Sequence, residues 1–414
     1  METIILNSIY KQSNIVSYDF SATEGLKKYF TGKPFKISYP ESIDWVPDGI
    51  LAVPFVGSVI PIVWLTHCEL ILDSLDKAFY DSLPNLKKGY ETMFPESLFK
   101  GNVVVKNLIE VEKTDEQRCA MFYSGGVDSM FTFISHTDEQ PDLLSIWGSD
   151  IKYDNENGWR LVHRAIEEVV EKYNLTEAVF HSSFREFDNE NVLHAEFKGQ
   201  LKDGWWHGVK HGIALLSHVA PYAYLHHITK MYIASSNCPE DGHVRCASNP
   251  LTDNQVRFAN CQVLHDGFEK NRQKKIQKIV EFCKKNHTYL PLHVCWESQQ
   301  GGNCCHCEKC YRTIVALLAE GADPSNYGFE TWKEEMIEMR KNMVDEKERY
   351  AVPYHLQWTH ISKRIQEQRK KLKHKSYWKN IKWIAETDFN DIDSIKVDLK
   401  YRIHRILLQI LYRV

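Results

Sequence analysis

No apolar run in the chain is both long enough and uninterrupted enough to cross a bilayer, which takes ~20 consecutive residues. The nearest approach, Ile50 to Leu65, is uncharged but shorter, and Pro54, Gly57, Ser58 and Pro61 break it. Two buried strands joined at a turn are expected there. Positive charge is not in excess: 51 Lys and Arg face 55 Asp and Glu, a net charge of -4. That balance gives no global reason to bind nucleic acid or an anionic membrane, so any such contact needs a local patch. The opening METIILNSIYKQ has no basic leader followed by an apolar core, so no secretory signal is expected and a cytoplasmic location is. Internal repeats and low-complexity tracts are also missing.

What remains is the composition of a folded soluble protein, with 43% hydrophobic and 26% charged residues. At 414 residues the chain exceeds the size of one growing core, so a main domain with additions is expected. Residues 1–117 read as a mixed, strand-containing part, with short apolar runs such as Ile50 to Phe55 and Val103 to Val105. Residues 118–320 alternate short apolar strands with amphipathic stretches, the pattern of an α/β open parallel sheet with helices on both faces. The expected strands are Cys119 to Tyr123, Leu143 to Trp147, Glu177 to His181 and Met231 to Ala234. The expected helices are Val127 to His136, Trp159 to Tyr173, Gly208 to Ala220 and Cys310 to Ala319. Residues 321–414 read as a charge-rich helical extension.

Two segments carry chemistry. In the first, Cys119-Ala-Met-Phe-Tyr-Ser-Gly-Gly-Val-Asp-Ser-Met-Phe131, an apolar strand runs through a glycine turn into a helix. Gly125 and Gly126 permit backbone N–H groups to converge on an anion at a helix start. Ser124 and Ser129 add hydroxyls, Val127 opens the helix, and Asp128 could orient the turn or hold Mg²⁺ against phosphate oxygens. There is no Gly-Lys-Ser/Thr ending, so this is not a Walker A loop. A strand-to-helix turn that needs glycine and a capping serine for geometry alone is the competing reading.

In the second segment, five of eleven cysteines fall between Cys295 and Cys310. Cys304, Cys307 and Cys310 are three apart and Cys295 lies nine residues earlier, a spacing that lets four thiolates close a tetrahedral shell around structural Zn²⁺. An iron–sulfur cluster is the alternative. His306 is an outside candidate ligand. Cys68, Cys119, Cys238, Cys246, Cys261 and Cys283 read as small buried hydrophobes.

Ser124-Gly-Gly-Val-Asp-Ser129 resembles the SGGxDS loop of the PP-loop (N-type) ATP pyrophosphatases, and the cysteine spacing resembles that of the 7-cyano-7-deazaguanine synthases within that superfamily. In those synthases a glycine usually follows the second ligand. Cys305 stands there in this chain, which leaves Cys304 or Cys305 open as the ligand. The resemblance spans roughly Arg118 to Ala319. It implies a Rossmann-like fold and ATP as substrate, with Mg²⁺. It further implies adenylation of a carbonyl or carboxylate oxygen on a small molecule, pyrophosphate release, and displacement of AMP by a nitrogen nucleophile. On this resemblance Asp128 and Ser129 are the catalytic candidates, the loop holds pyrophosphate, and Trp147 in Trp147-Gly-Ser-Asp150 meets adenine and ribose. Other enzyme readings are a PP-loop amidotransferase on a sugar or surface-polymer precursor and a tRNA-modifying ligase or thiolase with Cys238 or Cys246 as its cysteine. The non-enzymatic reading is a nucleotide-binding accessory subunit.

Between the two segments, Ser235 to His243 gathers Glu240, Asp241 and His243 close to Arg245 at a strand end, where carboxylates suit Mg²⁺ and Arg245 suits phosphate. His207 and His211 lie four apart, on one helix face, without an HExxH pattern; the expectation is a helix start that packs Trp205 and Trp206. Ile361 to Asn380 holds eight Lys or Arg against Glu367, expected as a solvated helix face in preference to a nucleic-acid grip. Leu399, Ile403, Ile406, Leu407, Ile410 and Leu411 have helical spacing, and that helix is expected to pack on the body or on a second copy of the chain.

Overall fold

The computed structural model describes residues 2–295, 297–298, 302–351 and 354–391. The last helix expected from sequence, Leu399 to Leu411, lies outside them.

Eleven strands form one sheet: β1 Thr3–Gln12, β2 Ile15–Ala22, β3 Phe35–Ser38, β4 Glu69–Asp76, β5 Asn102–Ile109, β6 Arg118–Phe122, β7 Asp142–Trp147, β8 Glu177–Ser182, β9 Ile228–Ala234, β10 Arg257–Phe258 and β11 Cys261–Asp266. Their order is β10-β11-β9-β6-β7-β8-β3-β2-β1-β4-β5. From β11 to β8 every neighbouring pair is parallel. In β7 every residue from Asp142 to Ile146 is buried, as expected of a parallel strand covered on both faces. The four strands expected in this region are present: three are extended by one to three residues at one end, and β6 is shifted by one, gaining Arg118 and ending before Tyr123.

The N-terminal strands do not build a sheet of their own. β3 pairs antiparallel with β8 through Ile37 with Ser182 and Ser38 with His181. Through this short seam the β2-β1-β4-β5 ribbon continues the sheet.

The segment expected as two strands at Ile50 to Leu65 is helical, Asp48–Leu51 followed by Val53–Thr66. Every residue from Val53 to Leu65 is buried, so no polar stripe marks a helical period and the β-branched residues mimic a strand. Pro54 sits in the first turn, where no N–H is required. Pro61 lies inside the helix, and its ring would crowd the carbonyl four residues back, at Gly57. A Cβ on Gly57 would lie 2.4 Å from Ser217 Cβ and 3.1 Å from the Ile213 carbonyl. The glycine therefore lets this helix lie directly against the helix His211–Ser217. Among the described residues no helix is long and apolar enough to cross a membrane.

The expected Gly208 to Ala220 helix is three pieces: a π-helical turn at Trp206–Lys210, then His211–Ser217 and Ala220–His226. Pro221, which fits only the first turn of a helix, accounts for the second break.

Two compact units partition the chain. The first, 1–124, 132–238 and 242–268, contains the whole sheet. The second, 125–131, 239–241 and 269–414, is helical in its described part. Its helices include Arg272–Lys285, Glu308–Ala319, Trp332–Asp345, His355–Leu372 and Trp378–Ala385. Within it Arg364 forks onto Glu320 at 2.8 and 2.7 Å, and the Tyr377 hydroxyl donates to the Leu318 carbonyl. The helix over the basic segment buries Ile361, Ile365 and Leu372, while Lys370 and Lys371, with Lys373 just beyond, face solvent.

Candidate functional site

The strand that leads into the phosphate-loop candidate lies in the first unit. β6 is flanked by β7 on one side and β9 on the other, all three parallel. The chain steps outward from β6 through β7 to β8 and then returns to β9 on the opposite side of β6. β6 is thus a topological switch point, where open α/β sheets leave a crevice beyond the carboxyl ends of the strands. The chain leaves those ends at Ser124 after β6, Trp147 at the end of β7 and Ser235 after β9. Trp147 stacks on His181 at 3.9 Å, and its Nε1–H donates to the Lys152 carbonyl.

In the second unit the loop enters its helix at Val127. Gly125 holds φ at +70°, the left-handed region that a side chain would strain, and its carbonyl accepts from the His293 N–H at 2.8 Å. The Gly126 carbonyl accepts from the Met130 N–H and from the Ser129 hydroxyl. Both oxygens of Asp128 are engaged: Arg272 Nη1 donates at 2.7 Å and Lys275 Nζ at 3.1 Å. Burial alone would push the Asp128 carboxyl up, but Lys275 and Arg272 outweigh it and hold it at about 2. Lys309 adds to that effect.

Arg272 is only partly used. Its Nε and Nη2 are buried and have no hydrogen-bond partner among the described residues. Both carboxylate oxygens of buried Glu308 are likewise without one, although Oε1 forms an ion pair with Arg312 Nε at 3.0 Å. Burial pushes Glu308 up to about 7 against the pull of Arg312 and Arg272. Buried guanidinium N–H groups with no acceptor are rare in folded proteins. Chemically, such donors beside Lys275 match the needs of an anion.

Sequence reading did not find Arg272, Lys275 or Glu308. A signal existed: Asn271 caps the helix Arg272–Lys285, and its first turn carries cations where the helix dipole favours anions. Cations there suit an anionic partner placed opposite.

Arg245 belongs to the first unit. Its Nη2 reaches both Glu96 carboxylate oxygens at 3.0 Å, and Nη1 donates to the Leu201 carbonyl. His243 Nε2 meets the Met93 carbonyl at 3.0 Å. Glu240, in the second unit, accepts from Asn271 Nδ2 at 3.1 Å and pairs with His360.

The four-cysteine centre lies wholly within the second unit. The sulfurs of Cys295, Cys304, Cys307 and Cys310 all lie within 4.8 Å of one another. Cys295 and Cys307 are 3.9 Å apart, as are Cys304 and Cys310. Four sulfurs at ~2.3 Å from one tetrahedral ion would be separated by about 3.8 Å, so the site fits a single zinc-like ion. The Ser298 and Cys307 N–H groups donate to Cys295 and Cys304 sulfurs at 3.3 and 3.2 Å. Asn303 closes the loop: its Oδ1 accepts from the Val294 and Cys295 N–H groups, and its Nδ2 donates to the Leu292 and Gly328 carbonyls. Outer contacts of this kind orient metal ligands.

The choice between the adjacent cysteines falls to Cys304. Cys305 takes φ +63°, and its sulfur lies 3.5 Å from the Asn303 carbonyl, outside the cluster. A left-handed residue following the ligand is a position that glycine fills without strain. His306 is half exposed and faces Glu335. No family model, curated protein or solved structure matches the chain.

Proposed function

We propose that the chain binds ATP at Ser124–Ser129 and adenylates a carbonyl or carboxylate oxygen of a small molecule. The observation that carries this reading is the placement of that loop at the end of β6, the switch-point strand, leading into a helix start whose Asp128 is held by Arg272 and Lys275. In the first step the acceptor oxygen attacks the α-phosphorus, the bond to the β-phosphate breaks, and pyrophosphate leaves. In the second a nitrogen nucleophile attacks the activated carbon and AMP departs with the bonding electrons. Backbone N–H groups after Gly125, the spare N–H groups of Arg272 and the Lys275 ammonium are suited to the pyrophosphate charge. Asp128 keeps both cations oriented until phosphate arrives. Mg²⁺ accompanies the nucleotide. The zinc-like ion is structural, since four thiolates leave no open position. The acceptor class is a 7-deazaguanine-type carboxylate, as in the synthases that the sequence resembles.

Incubation with ATP, Mg²⁺, ammonium and a panel of carboxylates headed by 7-carboxy-7-deazaguanine should yield AMP and pyrophosphate in equal amounts. Stoichiometric ADP and phosphate would overturn the proposal. Turnover with a sugar carboxylate in place of the deazaguanine would retain the adenylation and replace the acceptor.

A further inference from the structure

Within the first unit, on the π-helical turn and the segment opposite it, a cysteine meets two histidines. His211 Nε2 lies 3.8 Å from Cys246 Sγ. The other nitrogen of that ring, Nδ1, faces the Trp206 carbonyl at 3.1 Å. A carbonyl only accepts, so Nδ1 carries a proton. His207 Nδ1 meets Asp203 Oδ2 at 2.6 Å, and the two imidazoles lie nearly parallel with centroids 5.8 Å apart.

The backbone fixes this arrangement. The Ala247 N–H donates to the His207 carbonyl at 2.8 Å, tying the residue after the cysteine to the turn. A Cβ on Gly212 would meet the Ala247 carbonyl oxygen at 2.4 Å, so only glycine lets the segment approach so closely. π-Helical turns are rare and concentrate at functional sites. Cys246 is 4% exposed, whereas the His207 side chain beside it is 55% exposed.

We propose that Cys246 is an oxidation site: a nucleophilic sulfur, served by His211 and His207, that hydrogen peroxide converts to a sulfenic acid. The sulfur attacks one peroxide oxygen, the S–O bond forms as the O–O bond breaks, and sulfur loses two electrons. The departing hydroxide takes a proton from an imidazolium and leaves as water.

The electrostatics agree with the geometry. Burial opposes ionisation of Cys246, but the hydrogen bonds and charges of His207 and His211 outweigh it and hold the thiol at about 6. The Asp203 hydrogen bond leads in holding His207 up at about 10. The other groups that act on this corner are accounted for. Tyr90, on the helix Lys77–Met93, donates to the Val209 carbonyl. Asp253, on Pro250–Asp253, pairs with His265. Arg245 pairs with Glu96 and Lys210 with Asp188. By contrast Cys119 and Cys261 are pushed up, chiefly by burial.

The test is peroxide treatment of the full-length, metal-loaded protein with a dimedone-type trap, read at Cys246 by peptide mass spectrometry across pH. At pH 5.5 a thiol of ordinary pKa ~8.5 is about 0.1% thiolate, against about a quarter for one near 6. The lower basicity costs roughly tenfold in intrinsic nucleophilicity, leaving an advantage of roughly twentyfold. Labelling of the parent should therefore be half-maximal near pH 6, and the variant His207→Gln/His211→Gln should lose about twentyfold at pH 5.5. No label on Cys246, or a parent midpoint near pH 8.5, would overturn the proposal whether or not the variant folds.

Discussion

Replacing Asp128 by Asn keeps the size of the side chain and removes only its charge, leaving Lys275 and Arg272 facing a neutral amide. Asp128 and Lys275 are 16% and 2% exposed, so solvent screens the pair little. The carboxyl, ordinarily at 3.8, is held at about 2. At about 1.36 kcal/mol per tenfold change in acidity, the displacement corresponds to roughly 2–3 kcal/mol, net of the opposing effect of burial. Taking the carboxylate charge from beside two buried cations raises the loss toward about 3–5 kcal/mol. With a melting shift of ~2–4 °C per kcal/mol for a unit of this size, Asp128→Asn should melt ~6–20 °C below the parent at pH 7. The sign with pH follows from a folded-state value below the unfolded one: the contribution is fully present above about pH 4 and lost as pH falls through about 2. The deficit should therefore stay constant between pH 5 and 8 and change little with salt. Calorimetry across that range is the assay. A melting temperature within a degree of the parent, or a deficit that vanishes in high salt, would refute the reasoning. Asp128 thus matters to the fold as well as to the loop, because two buried cations sit on its oxygens.

Elemental analysis of protein purified without added metal should find about one zinc per chain, and Cys307→Ser should release it and lower the melting temperature, because metal binding at such a site contributes to folding. An iron–sulfur absorption band would contradict the 3.9 Å sulfur separations. Gly57→Ala should destabilise by about 1–3 kcal/mol in urea titrations, since its methyl would lie 2.4 Å from Ser217 Cβ. Ser217→Gly in the same chain should recover only part of this, because the Ile213 carbonyl, 3.1 Å away, stays in place. Lys370, Lys371 and Lys373 changed together to Gln should leave stability within about 0.5 kcal/mol, as for exposed positions generally. If they grip RNA instead, tRNA binding of the parent will weaken with salt by a logarithmic slope of about 0.7 per contact, and the triple variant will flatten it.

The parallel core was readable because its strands are short, continuous apolar runs closed by turn residues, and the Ser124–Ser129 loop stood out by following one of them directly. The helix Val53–Thr66 was not readable, because burial on every side erases the periodicity that distinguishes a helix from a strand. Long-range partners were invisible for another reason. Arg272 and Lys275 meet Asp128 across 144 and 147 residues, and no local pattern encodes such a meeting. The spacing of the cysteines pointed to the four-sulfur group, while the choice of Cys304 over Cys305 depended on a backbone angle. Cys246 read as a small hydrophobe because its histidine neighbours lie 35 and 39 positions away along the chain.

The two-residue seam between β3 and β8 carries a consequence for biosynthesis. β3 ends at Ser38 and its partner strand begins at Glu177. Growing at ~5–20 residues per second, a ribosome needs roughly 7–28 s to deliver the second after the first. Within that interval, once Ile109 has been made, the β5-β4-β1-β2-β3 ribbon can assemble, but its β3 edge stays open. An open edge is a template for any other strand, including that of a sister chain on the same message. The vulnerability of this protein is thus a matter of timing: aggregation should depend on translation speed between residues 39 and 182, and a chaperone that shields β3 until β8 emerges would raise the yield of folded chain without touching its final stability.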